Sequence, residues 1–195
     1  MDVDCIAFTG STHVGKQIHV MAGQSNLKRA WTELGGKSPN IVFADCPDLD
    51  RAVASAVGSI FFNQGESCNA PSRLLVQGSI MDAFLEKAVA LVPHYAPANP
   101  LLQDTVMGAL VDQTQMATVL GYINTGKAQG AKLLAGGEQA LSETGGCYVQ
   151  PTIFAGVTND MTIAREEIFG PVLSVLSFED AAQAVQIANQ TVYGL

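Results

Sequence analysis

The stretch NIVFADCPDLDRAVASAVGSIFFNQGESCNAPSRLLV, residues 40–76, contains a complete strand–helix–strand unit. Residues 40–43 form a short apolar run, which predicts a buried strand. Asp48 can cap a helix that extends to about Asn63, because its side chain can accept the free N–H groups of the first turn. The apolar residues of that helix recur along one stripe: Leu49, Val53, Val57, Ile60 and Phe61. Residues 73–76 suit a second strand, so the unit favours a parallel sheet.

The same alternation continues on both sides of this unit. Before it, residues 5–8 suit a strand, residues 9–12 a turn, and residues 14–21 the opening of a helix. After it come, in order, a helix with Ile80, Phe84, Ala88, Leu91 and Val92 on one face, a helix marked by Met116, Val119, Leu120 and Ile123, strands at 132–134, 148–154 and 172–178, and a helix with Ala181, Ala184, Val185 and Ala188. Strands that alternate with helices predict an α/β fold of three layers, with a mostly parallel sheet flanked by helices.

The composition is typical of a folded protein with an acidic surface. Of 195 residues, 48% are apolar and only 14% are charged, which is enough apolar material for a substantial core. The formal charge of −8 and the pI near 4.7 argue against a nucleic-acid partner or an anionic membrane, since both need a basic face. The apolar runs are far too short to span a membrane, and the first residues do not resemble a secretory signal. We therefore expect a cytoplasmic protein with reduced thiols.

Cys68 is the candidate nucleophile. The four cysteines, Cys5, Cys46, Cys68 and Cys147, show no CxxC spacing and no nearby histidine pair, so no metal site is predicted. A free cysteine is usually a small buried apolar residue. Cys68, however, follows the apolar helix and has polar neighbours on both sides: Asn63, Gln64, Glu66, Ser67 and Asn69. This setting favours a reactive thiol and leaves a merely packed one open.

Glu33 is the candidate general base. It precedes Leu34-Gly35-Gly36, and two glycines can form a sharp turn that leaves space beside a carboxylate. A carboxylate partly removed from water has a raised pKa, which a base that works near neutral pH needs. A surface glutamate at the end of an element explains the same residues. A thiol and a carboxylate together are the minimum for covalent acyl chemistry followed by hydrolysis.

Two further segments suit a nucleotide. Residues 8–16, FTGSTHVGK, place a glycine-bracketed turn before a helix, where free N–H groups and the helix dipole favour a phosphate. Residues 166–172, EEIFGPV, place a carboxylate and an aromatic ring just before a strand. The carboxylate can accept from ribose hydroxyls, and the phenyl ring can pack on another flat ring. Each segment, taken alone, also fits a purely structural turn.

Taken together, the four motifs closely resemble the NAD(P)-dependent aldehyde dehydrogenase superfamily. They run in the family order along the chain: FTGST at 8–12, ELGGKSP at 33–39, NQGESC at 63–68 and EEIFGPV at 166–172. The resemblance extends over essentially the whole chain. Residues 28–31 and 41–49 look most like the branch that oxidises γ-glutamyl-γ-aminobutyraldehyde and related ω-aminoaldehydes.

This resemblance implies a mechanism and a set of site residues. Cys68 would attack the aldehyde, its backbone N–H and an asparagine side chain would hold the oxyanion, and Glu33 would activate the water that hydrolyses the thioester. NAD or NADP would accept the hydride. The residues along the cofactor would be Gly10, Ser11, Val14, Gly15, Leu34, Glu167 and Phe169. Of these, the Glu167 carboxylate would bind the nicotinamide ribose, and the Phe169 ring would pack beside the nicotinamide.

The resemblance also implies that the chain is a piece of a longer enzyme. Residues 1–36 match the C-terminal end of an NAD(P)-binding domain, and residues 37–195 match a catalytic domain without its C-terminal end, with the boundary at Gly35-Gly36. The oxyanion asparagine, the first cofactor-domain strands and the strand that pairs subunits belong to other parts of the family pattern. We expect the full-length enzyme to be a homo-oligomer that acts on a small aldehyde.

Two other functions stay open. The chain could be a truncated, catalytically incompetent domain or an interaction module. It could also be a cysteine hydrolase that needs no nucleotide, although His13, His19 and His94 belong to no motif that links them to Cys68.

Overall fold

The computed structural model describes residues 2–195. Within that range nine strands and six α-helices follow one another, largely in alternation. The strands are β1 (Cys5–Thr9), β2 (Arg29–Glu33), β3 (Pro39–Val42), β4 (Arg73–Gln77), β5 (Lys132–Ala135), β6 (Gln139–Ala140), β7 (Tyr148–Val149), β8 (Thr152–Ala155) and β9 (Val172–Phe178). The helices are α1 (Thr12–Gln24), α2 (Leu49–Phe61), α3 (Met81–Leu91), α4 (Gln113–Ala128), α5 (Thr162–Arg165) and α6 (Ala181–Asn189). This order confirms the α/β fold class.

The main sheet has five strands in the order β3-β4-β9-β8-β5. Strands β3, β4, β9 and β8 are parallel to one another, and β5 is antiparallel to β8. Strands β1 and β2 form a separate parallel pair, and β6 and β7 form a short antiparallel pair. The main sheet is therefore mostly parallel, as the sequence predicts.

Helices cover both faces of the main sheet. Successive residues of a strand point to opposite faces, so Leu74 of β4 belongs to one apolar core and Leu75 to the other. The first core contains side chains of α2 and α3, such as Val57 and Phe84, and the second contains side chains of α4, such as Val119. The central strand, β9, is apolar along most of its length because both of its faces are buried.

The helix starts follow from side-chain caps. The Asp48 carboxylate accepts the N–H of Arg51 at 2.9 Å, so α2 begins where the sequence predicts. The α-helix ends at Phe61, and a short 3₁₀ turn, Phe62–Gly65, follows it. Helix α1 begins at Thr12, two residues before the predicted opening, because the hydroxyl of Ser11 accepts from a first-turn N–H.

Three strand predictions differ from the structure, and one difference is that the two-residue strand β6 was not predicted. Residues 148–154 form the two strands β7 and β8, and the prediction of one continuous strand was wrong. Pro151 lies between them, and proline has no N–H to donate to a ladder. The sequence also did not predict β2, whose residues alternate only between exposed and half-buried and include the exposed Trp31. The sequence of β2, RAWTE, lacks the apolar run by which the predicted strands were identified.

The carboxyl ends of β1 and β2 bring two of the sequence motifs together. Thr9 pairs with Glu33, and the N–H of Gly10 donates to the Glu33 carbonyl at 3.0 Å. Because parallel strands end at the same edge, the turn that follows β1 lies beside Leu34 and Gly35. A cavity opens at this edge.

Candidate active site

Four sequence motifs and one helix enclose a cavity of about 560 Å³. Its walls are formed by residues 9–11, 34–35, 66–68 and 167–169, and by Gln115, Thr118 and Tyr122 of α4. The structure therefore brings together six of the predicted site residues: Gly10, Ser11, Leu34, Cys68, Glu167 and Phe169. The other three, Glu33, Val14 and Gly15, do not line the cavity.

Cys68 ends an unusual turn after α2, residues 62–68, which we call the Cys68 turn. Asn63, Gln64 and Gly65 all have positive φ, at 47°, 57° and 73°, which is uncommon for residues other than glycine. Side-chain contacts hold the turn: the Asn63 amide donates to the Glu66 carbonyl at 2.9 Å, and the Gln64 side chain accepts from a backbone N–H at 3.1 Å. The strained turn leaves the Cys68 side chain only half-buried, so the thiol remains reachable from the cavity.

Only glycine fits at position 65. A Cβ there would lie 2.2 Å from the carbonyl oxygen of Gly170, in addition to the strain of its positive φ. The turn that carries Cys68 is therefore in direct backbone contact with the segment that carries Phe169. A displacement of one segment is transmitted to the other.

The glycine pair after Glu33 serves a different carboxylate from the one the sequence suggested. A Cβ at Gly35 would lie 2.1 Å from Glu167 Oε2, and a Cβ at Gly36 would lie 2.1 Å from the Cys68 carbonyl oxygen. Neither glycine has a positive φ within the described residues. The pair therefore allows Glu167 and the Cys68 turn to approach the backbone closely, and it does not open a space beside Glu33.

Glu167 is held at the cavity wall. Its Oε1 accepts the N–H of Gly36 at 3.1 Å. Burial raises the pKa of the Glu167 carboxyl, while the bond from Gly36 and the charge of Lys37 oppose that rise. The result is a partly desolvated carboxylate with one oxygen fixed by the backbone, as an acceptor for ligand hydroxyls needs to be.

Glu33 differs from the expectation of a carboxylate partly removed from water. It is the last residue of β2, its side chain is exposed, and the cavity is lined by the two residues that follow it. The side chain of a residue that ends a strand beside a solvent-filled edge stays hydrated, whatever glycines follow it. The desolvated carboxylates of the cavity are Glu66 and Glu167 instead.

Glu66 is a cavity residue that sequence reasoning did not select. Its Oε1 accepts the N–H of Val111 at 3.1 Å. Burial raises the pKa of the Glu66 carboxyl, against the opposing effect of the hydrogen bond from Val111. Because Val111 lies just before α4, this bond fastens the Cys68 turn to the start of that helix.

Of the four cofactor residues predicted within residues 8–16, two line the cavity and two, Val14 and Gly15, do not. Gly10 and Ser11 line it, and Ser11 caps α1 by accepting the N–H of Val14 at 3.3 Å. Gly15 is buried, and a Cβ there would lie 2.4 Å from Cδ2 of Leu34. Gly15 therefore allows α1 to pack closely on Leu34, and its effect on the cavity is indirect.

Helix α4 supplies a wall that the sequence analysis missed. Gln115, Thr118 and Tyr122 recur at spacings of three and four residues, so they share one face of the helix. Val119 and Ile123 recur in the same way and are fully buried. The polar spacing was therefore present in the sequence, but a polar helix face is usually solvated, and only the packing of α4 against the other motifs turns it toward a cavity.

Lys37 follows the glycine pair and is fully buried. Its Nζ has no hydrogen-bond partner among the described residues. The nearby charges are those of Arg73, Glu167 and Glu166. Burial, and then the positive charge of Arg73, lower the pKa of Lys37 to about 7, while the two carboxylates oppose this. An unpaired buried amine destabilises a fold, so Lys37 lowers the stability of this region.

We expect Lys37→Met to stabilise the 195-residue chain, most strongly at pH 7 and below. The unfolded chain keeps the lysine proton up to its ordinary pKa of 10.5, whereas the folded chain releases it above about pH 7. The wild-type free energy of unfolding therefore rises between pH 7 and 10.5, and the variant lacks this rise. Urea unfolding should give the variant roughly 2–5 kcal/mol more stability at pH 7 and a smaller advantage at pH 10. Equal stabilities at pH 7, or an advantage that grows with pH, would contradict this account.

A second cavity, of about 780 Å³, meets the same turn. Ser67 lines both cavities, and Phe62 and Asn69 line the second one beside it. None of the described residues that line the second cavity is charged. Two separate spaces therefore reach the residues that flank Cys68.

From residue 2 onward, no group of three or more His, Cys, Asp or Glu side chains could hold a metal ion. Among the same residues, no helix has the length and apolar character needed to cross a membrane. The four cysteines are all free.

The comparison with protein families covers the whole chain. The model of the aldehyde dehydrogenase family matches residues 1–195. Mitochondrial aldehyde dehydrogenase of Homo sapiens is 52% identical over 194 residues, a match that covers 100% of this chain and 37% of that protein.

Solved structures agree with this match. The chain superimposes with a TM-score of 0.99 on a cysteine-to-alanine mutant of the P. syringae indole-3-acetaldehyde dehydrogenase AldA in complex with NAD+ and IAA, at 60% identity over 100% of this chain and 39% of that one. It superimposes with a TM-score of 0.97 on gamma-glutamyl-gamma-aminobutyraldehyde dehydrogenase from Burkholderia cenocepacia J2315, at 61% identity and the same coverage, 100% and 39%. The chain thus spans less than two fifths of the length of these relatives.

Proposed function

Because this chain belongs to the aldehyde dehydrogenase family, we propose that it supplies the nucleophile and the nicotinamide end of the cofactor site to a longer NAD(P)-dependent enzyme that oxidises an aldehyde to a carboxylic acid. One observation carries the proposal. A half-buried thiol on a strained turn opens into the same cavity as a helix-start turn, a desolvated carboxylate and an aromatic ring.

The residues of the cavity fit NAD or NADP. Gly10 and Ser11 lie at the N-terminal end of α1, where the helix dipole favours an anionic group. The Glu167 carboxylate can accept from ribose hydroxyls, and the Phe169 ring, 38% exposed, offers an apolar face to a nicotinamide. Bound NAD or NADP supplies the hydride acceptor. The AldA neighbour was solved with NAD+, which agrees with this assignment.

Cys68 would act as the nucleophile. Its thiolate attacks the aldehyde carbon and forms a hemithioacetal, whose oxygen carries the developing charge. The backbone N–H of Cys68 has no backbone acceptor among the described residues, so it can donate to that oxygen. Loss of a hydride from the same carbon leaves a thioester on Cys68, and water then releases the carboxylic acid and the thiol. An asparagine outside this chain would be the second oxyanion donor.

Glu33 would activate the water that hydrolyses the thioester. Its backbone immediately precedes Leu34 and Gly35, which line the cavity. The Glu33 side chain is exposed and does not line the cavity in this structure. We infer that it turns toward the thioester during hydrolysis.

The aldehyde would approach Cys68 through the second cavity, beside Phe62 and Ser67. Because Ser67, the neighbour of Cys68, lines both cavities, cofactor and aldehyde could then approach the thiol from different spaces. We propose γ-glutamyl-γ-aminobutyraldehyde and related ω-aminoaldehydes as substrates. Two structural neighbours with nearly equal identity are named for different aldehydes, so indole-3-acetaldehyde is the natural competitor in a test.

We further propose that residues 1–36 belong to the cofactor-binding domain and residues 37–195 to the catalytic domain. The separation of the β1-β2 pair from the main sheet supports this division. The longer enzyme is proposed to be a cytoplasmic homo-oligomer.

The direct test uses the longer protein that contains this chain. NAD and NADP reduction is followed by absorbance with γ-glutamyl-γ-aminobutyraldehyde, an ω-aminoaldehyde and indole-3-acetaldehyde, and the acid product is measured in parallel. We expect one reduced nucleotide for each carboxylic acid. Ester or thioester hydrolysis without any nucleotide reduction would instead favour the cysteine hydrolase.

A further inference from the structure

We propose that Gln115 is a positioning residue that clamps residues 168–170, the Phe169 segment, and thereby sets the width of the cofactor cavity beside Cys68. This inference rests on the proposed function for its kinetic consequence. The clamp itself rests on contacts within the chain.

The Gln115 side chain uses both of its amide hydrogens on one neighbouring segment. Its Nε2 donates to the carbonyl oxygen of Ile168 at 2.9 Å and to that of Phe169 at 2.7 Å. The backbone of Gln115 is fixed in turn, because its N–H donates to the Asp112 carboxylate that caps α4, at 2.8 Å. Gln115 therefore belongs to the capped first turn of a helix and not to a loop.

The backbone conformation of the Phe169 segment needs stabilising contacts from outside the segment. Phe169 has a φ of 54°, in the left-handed region that a residue with a large side chain rarely adopts. Such a conformation persists only when its surroundings hold it. Two hydrogen bonds to the carbonyls on either side of the Phe169 N–Cα bond fix the peptide planes that define this conformation.

The Phe169 segment packs closely against both α4 and the Cys68 turn, so its position affects the position of the thiol. A Cβ at Gly170 would lie 2.4 Å from Cγ2 of Val119, so the segment lies directly on α4 one turn beyond Gln115. On its other side, the Gly170 carbonyl contacts Gly65 of the Cys68 turn. The segment is thus enclosed between α4 and the Cys68 turn, and Gln115 is the polar fastening at the cavity end.

The chemistry of the clamp requires an amide. Two carbonyl oxygens must be met by two donors on one nitrogen, which glutamine supplies. A glutamate of the same length supplies no donor when ionised and places negative charge against both carbonyls. An alanine supplies nothing. Both substitutions release the segment, and they differ only in whether they also repel it.

The matched control is Gln113, which is the same residue type two positions earlier on α4. It is exposed and outside the cavity. Gln113→Ala and Gln113→Glu therefore repeat the changes in helix propensity and charge without touching the Phe169 segment.

The first arm of the experiment needs no catalytic activity. In the 195-residue chain, the carbonyl ¹³C shifts of Ile168 and Phe169 are measured by NMR. We expect Gln115→Ala and Gln115→Glu to move both carbonyl shifts upfield, because each carbonyl loses its hydrogen bond, whereas the Gln113 variants leave both shifts unchanged. Unchanged carbonyl shifts in the Gln115 variants would overturn the clamp.

The second arm measures steady-state kinetics of the longer enzyme with NAD and an aldehyde. We expect Gln115→Ala to raise the KM for NAD about tenfold, with the KM for the aldehyde within twofold of wild type and kcat lowered less than the NAD KM is raised. If Gln115 has only a structural role, Gln115→Ala lowers the melting temperature but does not raise the KM for NAD selectively over the KM for the aldehyde. That result would overturn the positioning role. If the wild-type enzyme reduces no nucleotide, the proposed function has failed, and the first arm still decides whether the clamp exists.

Discussion

Replacement of Cys68 by alanine is expected to lower aldehyde-dependent NADH formation by the longer enzyme by about 10⁴-fold or more. Cys68 is the one cysteine among the cavity-lining residues described here, so no other thiol can replace it there. The loss should appear in kcat and in the acylation burst alike, because the first covalent step is removed. Cofactor binding should be retained, since the residues assigned to the cofactor are unchanged.

Cys5→Ala is the matched control for this experiment. Cys5 lies exposed at the start of β1, away from the cavity. Its replacement should leave NADH formation within twofold of wild type. If Cys68→Ala kept more than about one hundredth of the wild-type rate, Cys68 would not be the nucleophile.

Replacement of Glu33 by glutamine is expected to slow thioester hydrolysis by about 10²- to 10³-fold while leaving the acylation burst nearly intact. The burst reports hydride transfer, which does not need the base that activates water. The steady-state rate should therefore fall to the rate of hydrolysis, and acyl-enzyme should accumulate on Cys68. Stopped-flow NADH absorbance separates the two phases.

Glu66 and Glu167 are the competing carboxylates. Both lie in the cavity, and burial raises the pKa of each, which at first favours them as bases over the exposed Glu33. Each, however, already accepts a backbone N–H: Glu66 from Val111, and Glu167 from Gly36. A carboxylate oxygen held by a backbone N–H can bind a ligand or stabilise the local structure. A general base, by contrast, must be free to turn toward the water molecule. A full burst followed by slow turnover in Glu66→Gln or Glu167→Gln, and not in Glu33→Gln, would assign the base to that residue instead.

The sequence predicts the fold well because the main sheet is buried on both faces. Strands such as β9 then carry continuous apolar runs, and the helices that cover them carry one apolar stripe. Strand β2 was not predicted because its sequence, RAWTE, contains no apolar run. The single strand predicted over 148–154 fails for a local reason, the missing N–H of Pro151.

The site could be predicted where a motif carries it. Gly10, Ser11, Leu34, Cys68, Glu167 and Phe169 meet in one cavity as their motifs indicate. Gln115 and Glu66 could not be selected in the same way, because their importance lies in bonds to residues 53 and 45 positions away. No local pattern reports such partners.

The role of the glycine pair also depends on tertiary contacts. A glycine in a sequence indicates either an unusual φ or a close approach, and the neighbours in sequence suggested a turn beside Glu33. In the structure Gly35 and Gly36 have ordinary φ values and instead admit Glu167 and the Cys68 carbonyl. Glu167 lies 132 positions after Gly35, and Cys68 lies 32 positions after Gly36. Neighbouring residues in the sequence therefore do not indicate these contacts.

The most direct test of the account is to identify the thiol that becomes acylated. The longer enzyme, with Glu33→Gln to slow hydrolysis, is mixed with an aldehyde in the presence and absence of NAD, quenched in acid and mapped by peptide mass spectrometry. We expect an acyl group on Cys68 that appears only with NAD, and unmodified Cys5, Cys46 and Cys147. An acyl group on another cysteine, or the same acylation of Cys68 without NAD, would contradict it.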